Sequence, residues 1–128
     1  MLKLSRQDSI WNRASVESGG ASPAPGDQAL ASLLRAHNLA MNGGVAHALE
    51  CLSPSETTAA IAGFNYFGLA DAARVFEQAP DESEAAEERL DRMYWSVIPS
   101  DDTLAHAFRI KLISTPEAFA PVDTGQNA

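Results

Sequence analysis

Cysteine, histidine and long apolar runs are all scarce in this sequence. Cys51 is the only cysteine among 128 residues, which excludes an internal disulfide and fits a reducing compartment. No stretch of about 18 apolar residues occurs, so no membrane-spanning helix is predicted. The first residues, MLKLSRQDSIWNR, lack the apolar segment of a secretory signal. These features favour a cytoplasmic protein.

Basic side chains are also few. Nine Lys and Arg face 17 Asp and Glu, giving a net charge of −8 and a pI near 4.7. Direct binding to nucleic acid or to an anionic membrane is therefore disfavoured, because both use clustered Lys and Arg. Acidity by itself is also a common means of staying soluble.

Strand signals are absent and helix signals are frequent. Val and Ile are sparse, no segment alternates with period two, and alanine is abundant. Asn42-Gly43-Gly44 is predicted to end one helix, and Ser53-Pro54-Ser55-Glu56 to open the next as a capping box. The sequence thus predicts an all-α, single-domain bundle of five to seven short helices. The helix after Ser53 is apolar almost all round and is predicted to be the central one.

Composition divides the chain into three parts. Residues 1–26 are predicted to hold a short helix, Gln7 to Glu17, followed by a flexible linker rich in Gly, Pro and Ser. Residues 27–121 are predicted to form the helical domain, with Asp27 capping its first helix. Residues 122–128 are predicted to be a disordered polar tail.

The densest chemical signal is the acidic segment DESEAAEERLDR, residues 81–92, which Asp81 is predicted to cap. At about 100° per residue, Leu90, Met93 and Tyr94 fall on one helix face. Acidic residues fall on the other face, giving a row with one charge per roughly 4 to 5 Å at a rise of 1.5 Å per residue. That spacing is close to the 3.4 Å rise per phosphate of one DNA strand. Arg92 lies on the same side and can pair with Glu88.

An aromatic residue and a second acidic group extend this surface. Trp95 falls on the acidic side of the helix, where an exposed tryptophan is a typical interface anchor, unless a neighbouring helix covers it. Asp101 and Asp102 form the second acidic group, at the start of the last helix, which Ser100 or Asp101 is predicted to cap. The predicted partner-binding residues are Asp81, Glu84, Glu87, Glu88, Asp91, Trp95, Asp101 and Asp102.

Catalytic and metal-binding patterns are weak. His47 and Cys51 lie four residues apart and can meet one ion, but HExxH and paired CxxC motifs are missing. His37 lies in an apolar stripe, which is typical of a core histidine. No cofactor, metal site or catalytic residue is predicted. A metal-dependent enzyme using His37, His47 and His106 stays an alternative.

The order of several short motifs resembles a known family. They are NGG at 42–44, AAIAGFNYFGL at 59–69, AARVFEQA at 72–79, LDRMYW at 90–95 and PEAFAP at 116–121. This series resembles the small acidic all-helical bacterial family that includes a DNA-mimic protein and is otherwise a domain of unknown function. The resemblance covers residues 28–121. It implies an all-α fold, a homodimer and, for the mimic member, an acidic surface that occupies a DNA-binding cleft.

Together these observations predict a non-enzymatic protein-interaction domain. Its acidic helix would contact a basic protein, such as a DNA-binding protein, in competition with DNA. An immunity or antitoxin-type protein that neutralises a nuclease toxin by the same electrostatics is an alternative. The metal-dependent enzyme is the alternative from another class.

Overall fold

The computed structural model describes residues 5–78 and 83–122, which form seven α-helices and no strand. The predicted all-α fold is confirmed. The helices are α1 Arg6–Glu17, α2 Pro25–Gly43, α3 Val45–Cys51, α4 Pro54–Tyr66, α5 Ala70–Phe76, α6 Glu84–Val97 and α7 Asp101–Ser114, followed by a 3-10 turn, η1 Pro116–Ala118. None of these described helices is both long and apolar enough to cross a membrane.

The central helix is α2, and the prediction that α4 would be central is wrong. Leu30, Leu33 and Leu34 of α2 are buried, and the helix packs against α1, α3 and α4. In contrast, Ala59 and Ala62 of α4 are exposed. The apolar pattern of α4 comes largely from alanines. An alanine side chain has little apolar surface, so it can stay exposed at low cost.

Local capping explains where the helices begin and end. Ser53 and Glu56 form the predicted capping box, with the Glu56 amide donating to Ser53 Oγ at 3.1 Å and the Ser53 amide donating to Glu56 Oε1 at 2.9 Å. Gly44 ends α2 with a φ of 93°, a conformation that glycine adopts without strain. For α6 the cap is Ser83, whose Oγ accepts from the Ala86 amide, rather than the predicted Asp81.

The start of α2 also differs from the prediction. Ala24 is the N-cap residue, Pro25 is the first helical residue, and Asp27 lies at the third position. From there the Asp27 carboxylate accepts a hydrogen bond from the Ala24 amide at 3.0 Å. Asp27 therefore satisfies one free amide of the helix start from inside the helix, not from the N-cap position.

The N-terminal segment contributes to the same core as the rest of the chain. α1 matches the predicted short helix and buries Ile10 completely. The sequence places a boundary at residue 26, yet α2 already begins at Pro25 and α1 packs against it. At the other end Phe119 is buried, and the predicted polar tail lies outside the described residues from 123 onward.

An aromatic cluster joins α4, α5 and α6. The Phe64 and Phe76 rings stack with centroids 5.4 Å apart, and Tyr94 meets Phe76 edge-on at 5.6 Å. Such pairs add to the free energy gained by burying the rings. Since Tyr94 is fully buried, this cluster fixes which side of α6 faces the solvent.

Candidate protein-interaction surface

The acidic helix α6 has the two faces that its sequence predicts. Leu90 and Tyr94 are buried, while Glu84 and Glu88 are exposed on the outer face. Glu84 and Glu87 stand in the first turn, where the partial positive charge of a helix N-terminus stabilises carboxylates. Glu87 is half-buried, and Asp81 lies outside the described residues.

One ion pair reduces the charge of the outer row. Arg92 Nη1 lies 4.0 Å from Glu88 Oε2, and both side chains are 70% exposed. An exposed pair of this kind contributes little to stability and is screened by salt. Arg92 therefore lowers the local negative charge without holding Glu88 in place.

Asp91 is engaged inside the molecule. Its Oδ1 accepts a hydrogen bond from the Val45 amide at 2.8 Å, so the carboxylate caps α3 from α6. A Cβ on Gly44 would lie 3.0 Å from Asp91 Oδ2, which explains why glycine suits this junction. Asp91, predicted as part of the contact surface, thus makes a structural contact within the chain.

Trp95 ends the outer row of α6. Its side chain is 37% exposed, and its ring meets the Tyr94 ring at 5.4 Å and 68°. The ring is thus held against the core on one side and open to solvent on the other.

A buried hydrogen-bond chain connects α2, α6 and α7. His37 Nε2 lies 2.7 Å from Asp101 Oδ1, and His37 Nδ1 lies 2.7 Å from the Tyr94 hydroxyl. Because a carboxylate only accepts hydrogen bonds, Nε2 donates to Asp101, and in the neutral imidazole Nδ1 is then the acceptor for the Tyr94 hydroxyl. His37 is 2% exposed, as expected for the predicted core histidine, whereas the Asp101 side chain is 72% exposed.

This hydrogen-bond chain gives Asp101 a structural contact and bears on the protonation of Tyr94. Burial raises the pKa of Tyr94 well above its usual range, and the nearby Asp101 carboxylate raises it further. The hydroxyl therefore stays protonated and can donate to His37. Asp101, predicted as a surface contact, anchors the start of α7, and like its neighbour Asp102 it is exposed.

A second buried network, missed by sequence reasoning, holds α1 and the start of α2 to residues 120–121. Asp27 is fully buried and accepts from Arg13 Nη2 at 2.8 Å and from the Ala120 amide at 2.8 Å. Arg13 also donates to the carbonyl oxygens of Ala120 and Pro121, each at 3.0 Å. No local signal in the sequence marks this network, because Asp27 is 14 residues from Arg13 and 93 residues from Ala120.

The three histidines do not form one site. His37 is in the core, His47 lies on α3 beside Cys51, and His106 is exposed on α7. Within residues 5–78 and 83–122, no group of three or more His, Cys, Asp or Glu side chains is placed to hold a metal ion. The enzyme alternative built on these histidines gains no support from their placement.

The net charge of the chain is concentrated in one range of the sequence. Residues 71–102, which run from α5 through α6 to the first turn of α7, carry ten of the 17 acidic and three of the nine basic residues. This range therefore holds seven of the eight net negative charges. By comparison, a groove of about 400 Å³ between α1, α2 and α4 has Arg35 and Glu56 as its charged lining residues, paired at 2.9 Å.

No protein-family model, curated protein or solved structure matches this chain. The resemblance to the acidic helical family stays a prediction.

Proposed function

We propose that this chain is a non-catalytic protein-binding domain whose contact surface is the acidic side of α6. The observation that supports this most is the charge distribution, with seven of eight net negative charges in residues 71–102. Glu84 and Glu88 point outward from α6, and the half-exposed Trp95 ends the same row. The partner that fits this surface is a basic protein.

The proposed mechanism is electrostatic steering followed by anchoring. A region with an excess of negative charge attracts a positively charged surface and aligns it during approach, which raises the association rate. Trp95 then supplies apolar contact area, which slows dissociation. Glu84, Glu87, Glu88 and Asp102 are the acidic residues that carry this proposal, because Asp91 and Asp101 are already hydrogen-bonded within the chain.

DNA mimicry is the finer form of the proposal. Glu84 and Glu88 are one helical turn apart, about 6 Å along the axis at 1.5 Å per residue. This is nearly twice the 3.4 Å rise per phosphate of one DNA strand. A single α6 would therefore match alternate phosphates, and imitation of both strands would require a second acidic row, as a homodimer would provide.

The test uses two variants that lose the same charge in different places. The first carries Glu84→Gln, Glu87→Gln and Glu88→Gln. The matched control carries Glu17→Gln, Glu50→Gln and Glu117→Gln, three exposed glutamates outside the acidic range. The wild-type chain and both variants are immobilised and exposed to lysate of the source cells, with and without added duplex DNA.

The expected result is capture of a nucleic-acid-binding protein by the wild type and the control, but not by the α6 variant. Added duplex DNA should compete with the wild-type chain for the captured protein. Higher salt should weaken the binding between them. Capture of a nuclease would identify the immunity form of the function. A partner retained equally by all three proteins would show that α6 is not the contact surface.

A further inference from the structure

The outer row of α6 contains a cation as well as carboxylates. Glu84, Glu88 and Arg92 follow one another at four-residue spacing, so each lies about 6 Å further along the axis and about 40° around it. All three side chains are exposed. Trp95 follows on the same side, within about 20° of Glu88 around the helix. The row therefore presents two negative charges, then one positive charge, then a half-exposed indole.

The ion pair within this row is loose enough to be exchanged. Arg92 Nη1 and Glu88 Oε2 are 4.0 Å apart, and each side chain is 70% exposed. Such a pair contributes little free energy in water, so replacing one member by a side chain of a partner costs little. Glu88 can therefore turn to a basic group of the partner, and Arg92 then needs a new anion.

The position of Trp95 makes the pairing of Arg92 important for affinity. The indole comes three residues after Arg92 and is held against the Tyr94 ring, with centroids 5.4 Å apart. A partner that covers the open side of Trp95 also removes water from the neighbouring guanidinium. A charge that loses water without gaining an opposite charge lowers the affinity, and a like charge placed opposite it lowers the affinity further.

We propose, building on the function proposed for α6, that Arg92 determines which partners this surface accepts. The fitting partner presents basic groups to Glu84 and Glu88. One helical turn further along it presents an acidic group to Arg92, beside an apolar contact for Trp95. A cleft lined by basic groups alone places a positive charge against Arg92 and is disfavoured. A strand of phosphates has no cation that corresponds to Arg92, so α6 departs from DNA at this residue.

The test uses two synthetic helical peptides of identical composition and net charge. Both carry three charged positions at four-residue spacing on one face. The matching peptide has the order Lys, Lys, Glu, and the mismatched peptide has the order Lys, Glu, Lys. Because the long-range attraction to a chain of net charge −8 is the same for both, only the order of the charges distinguishes them. Fluorescence anisotropy of the labelled peptides measures their binding to the full chain at low salt.

The wild-type chain should bind the matching peptide about fivefold more tightly, which is the effect of one exposed ion pair. An exchange variant carries Glu88→Arg and Arg92→Glu, which changes the order of charges along the row at constant composition, and it should invert the preference. Arg89→Glu is the control for a charge change on α6, because Arg89 lies about 100° around the helix from Glu88. This control should retain the wild-type preference. Circular dichroism verifies that both variants keep the helical content of the wild type.

A third variant, with Glu84→Gln, Glu87→Gln and Glu88→Gln together, separates the role of Arg92 from the contact surface itself. If this variant loses both peptides but the exchange variant keeps the wild-type preference, the role of Arg92 is overturned and the surface stands. Equal binding of the two peptides by the wild type has the same meaning. Peptide binding that the triple variant leaves intact, or no binding of either peptide to the wild type, would overturn the contact surface and the role of Arg92 with it.

Discussion

Tyr94 donates its phenolic hydrogen to His37 Nδ1 across 2.7 Å, inside a core where neither side chain is more than 2% exposed. The bond joins α6 to α2 and lies behind the acidic surface. His37 in turn donates to Asp101 at the start of α7. The His37 imidazole thus links α2, α6 and α7 by hydrogen bonds, and the buried Tyr94 side chain orients α6.

Replacing Tyr94 by phenylalanine removes the donor but keeps the ring. His37 Nδ1 is then buried without a partner, which costs about 1–3 kcal/mol of unfolding free energy. Urea unfolding followed by circular dichroism measures the loss. Tyr66→Phe is the matched control, because Tyr66 is half-buried and should change stability by less than about 0.5 kcal/mol. Equal losses in both variants would contradict a special role for the His37 bond.

The raised pKa of Tyr94 also predicts how the free energy of unfolding falls at alkaline pH. Its pKa is raised in the folded protein, so above the ordinary value of 10.0 the unfolded chain releases a proton that the folded chain retains. Unfolding free energy should then fall by about 1.4 kcal/mol per pH unit from this residue alone. The difference in stability between wild type and Tyr94→Phe should therefore narrow above pH 10. A constant difference from pH 8 to 11 would contradict the prediction.

The buried pair of Arg13 and Asp27 should matter far more than an exposed pair. Asp27→Asn leaves the Arg13 guanidinium, whose side chain is 16% exposed, without its counter-charge. Removing one partner of a buried pair costs about 3–5 kcal/mol. Arg35→Gln, which breaks the exposed pair with Glu56, should cost no more than about 1 kcal/mol. Thermal unfolding of both variants compares them directly, and similar losses would show that the Arg13 network contributes little.

Much of the fold could be predicted because its signals are local. Gly44 ends α2 and Ser53 opens α4 through atoms within a few residues of each cap, and the outward face of α6 follows from helical periodicity. The apolar face of α6 at Leu90 and Tyr94 is buried as predicted. The prediction that α4 is central was wrong because periodicity counts alanine as apolar whatever its size. Alanines on α4 can therefore be exposed although the pattern suggests burial.

The candidate surface was harder to predict, because hydrogen-bond partners distant in sequence determine which acidic side chains are engaged within the molecule. Asp91 bonds an amide 46 residues away, and Asp101 bonds a histidine 64 residues away. On a helical projection both look like solvent-facing carboxylates. Their hydrogen bonds to distant partners distinguish them from Glu84 and Glu88, although the Asp101 side chain is itself 72% exposed.

That separation gives a last prediction, which compares two acids three residues apart on α6. Asp91→Ala removes the acceptor of the Val45 amide and should cost about 1 kcal/mol, the usual effect of losing a helix cap. Glu88→Ala should change stability by less than about 0.5 kcal/mol, because its pair with Arg92 is exposed. Asp91→Asn keeps an oxygen acceptor without the charge, and should recover most of the loss. Thermal unfolding of the three variants tests this, and a loss in Asp91→Asn as large as in Asp91→Ala would show that the negative charge, not the hydrogen bond, stabilises α3.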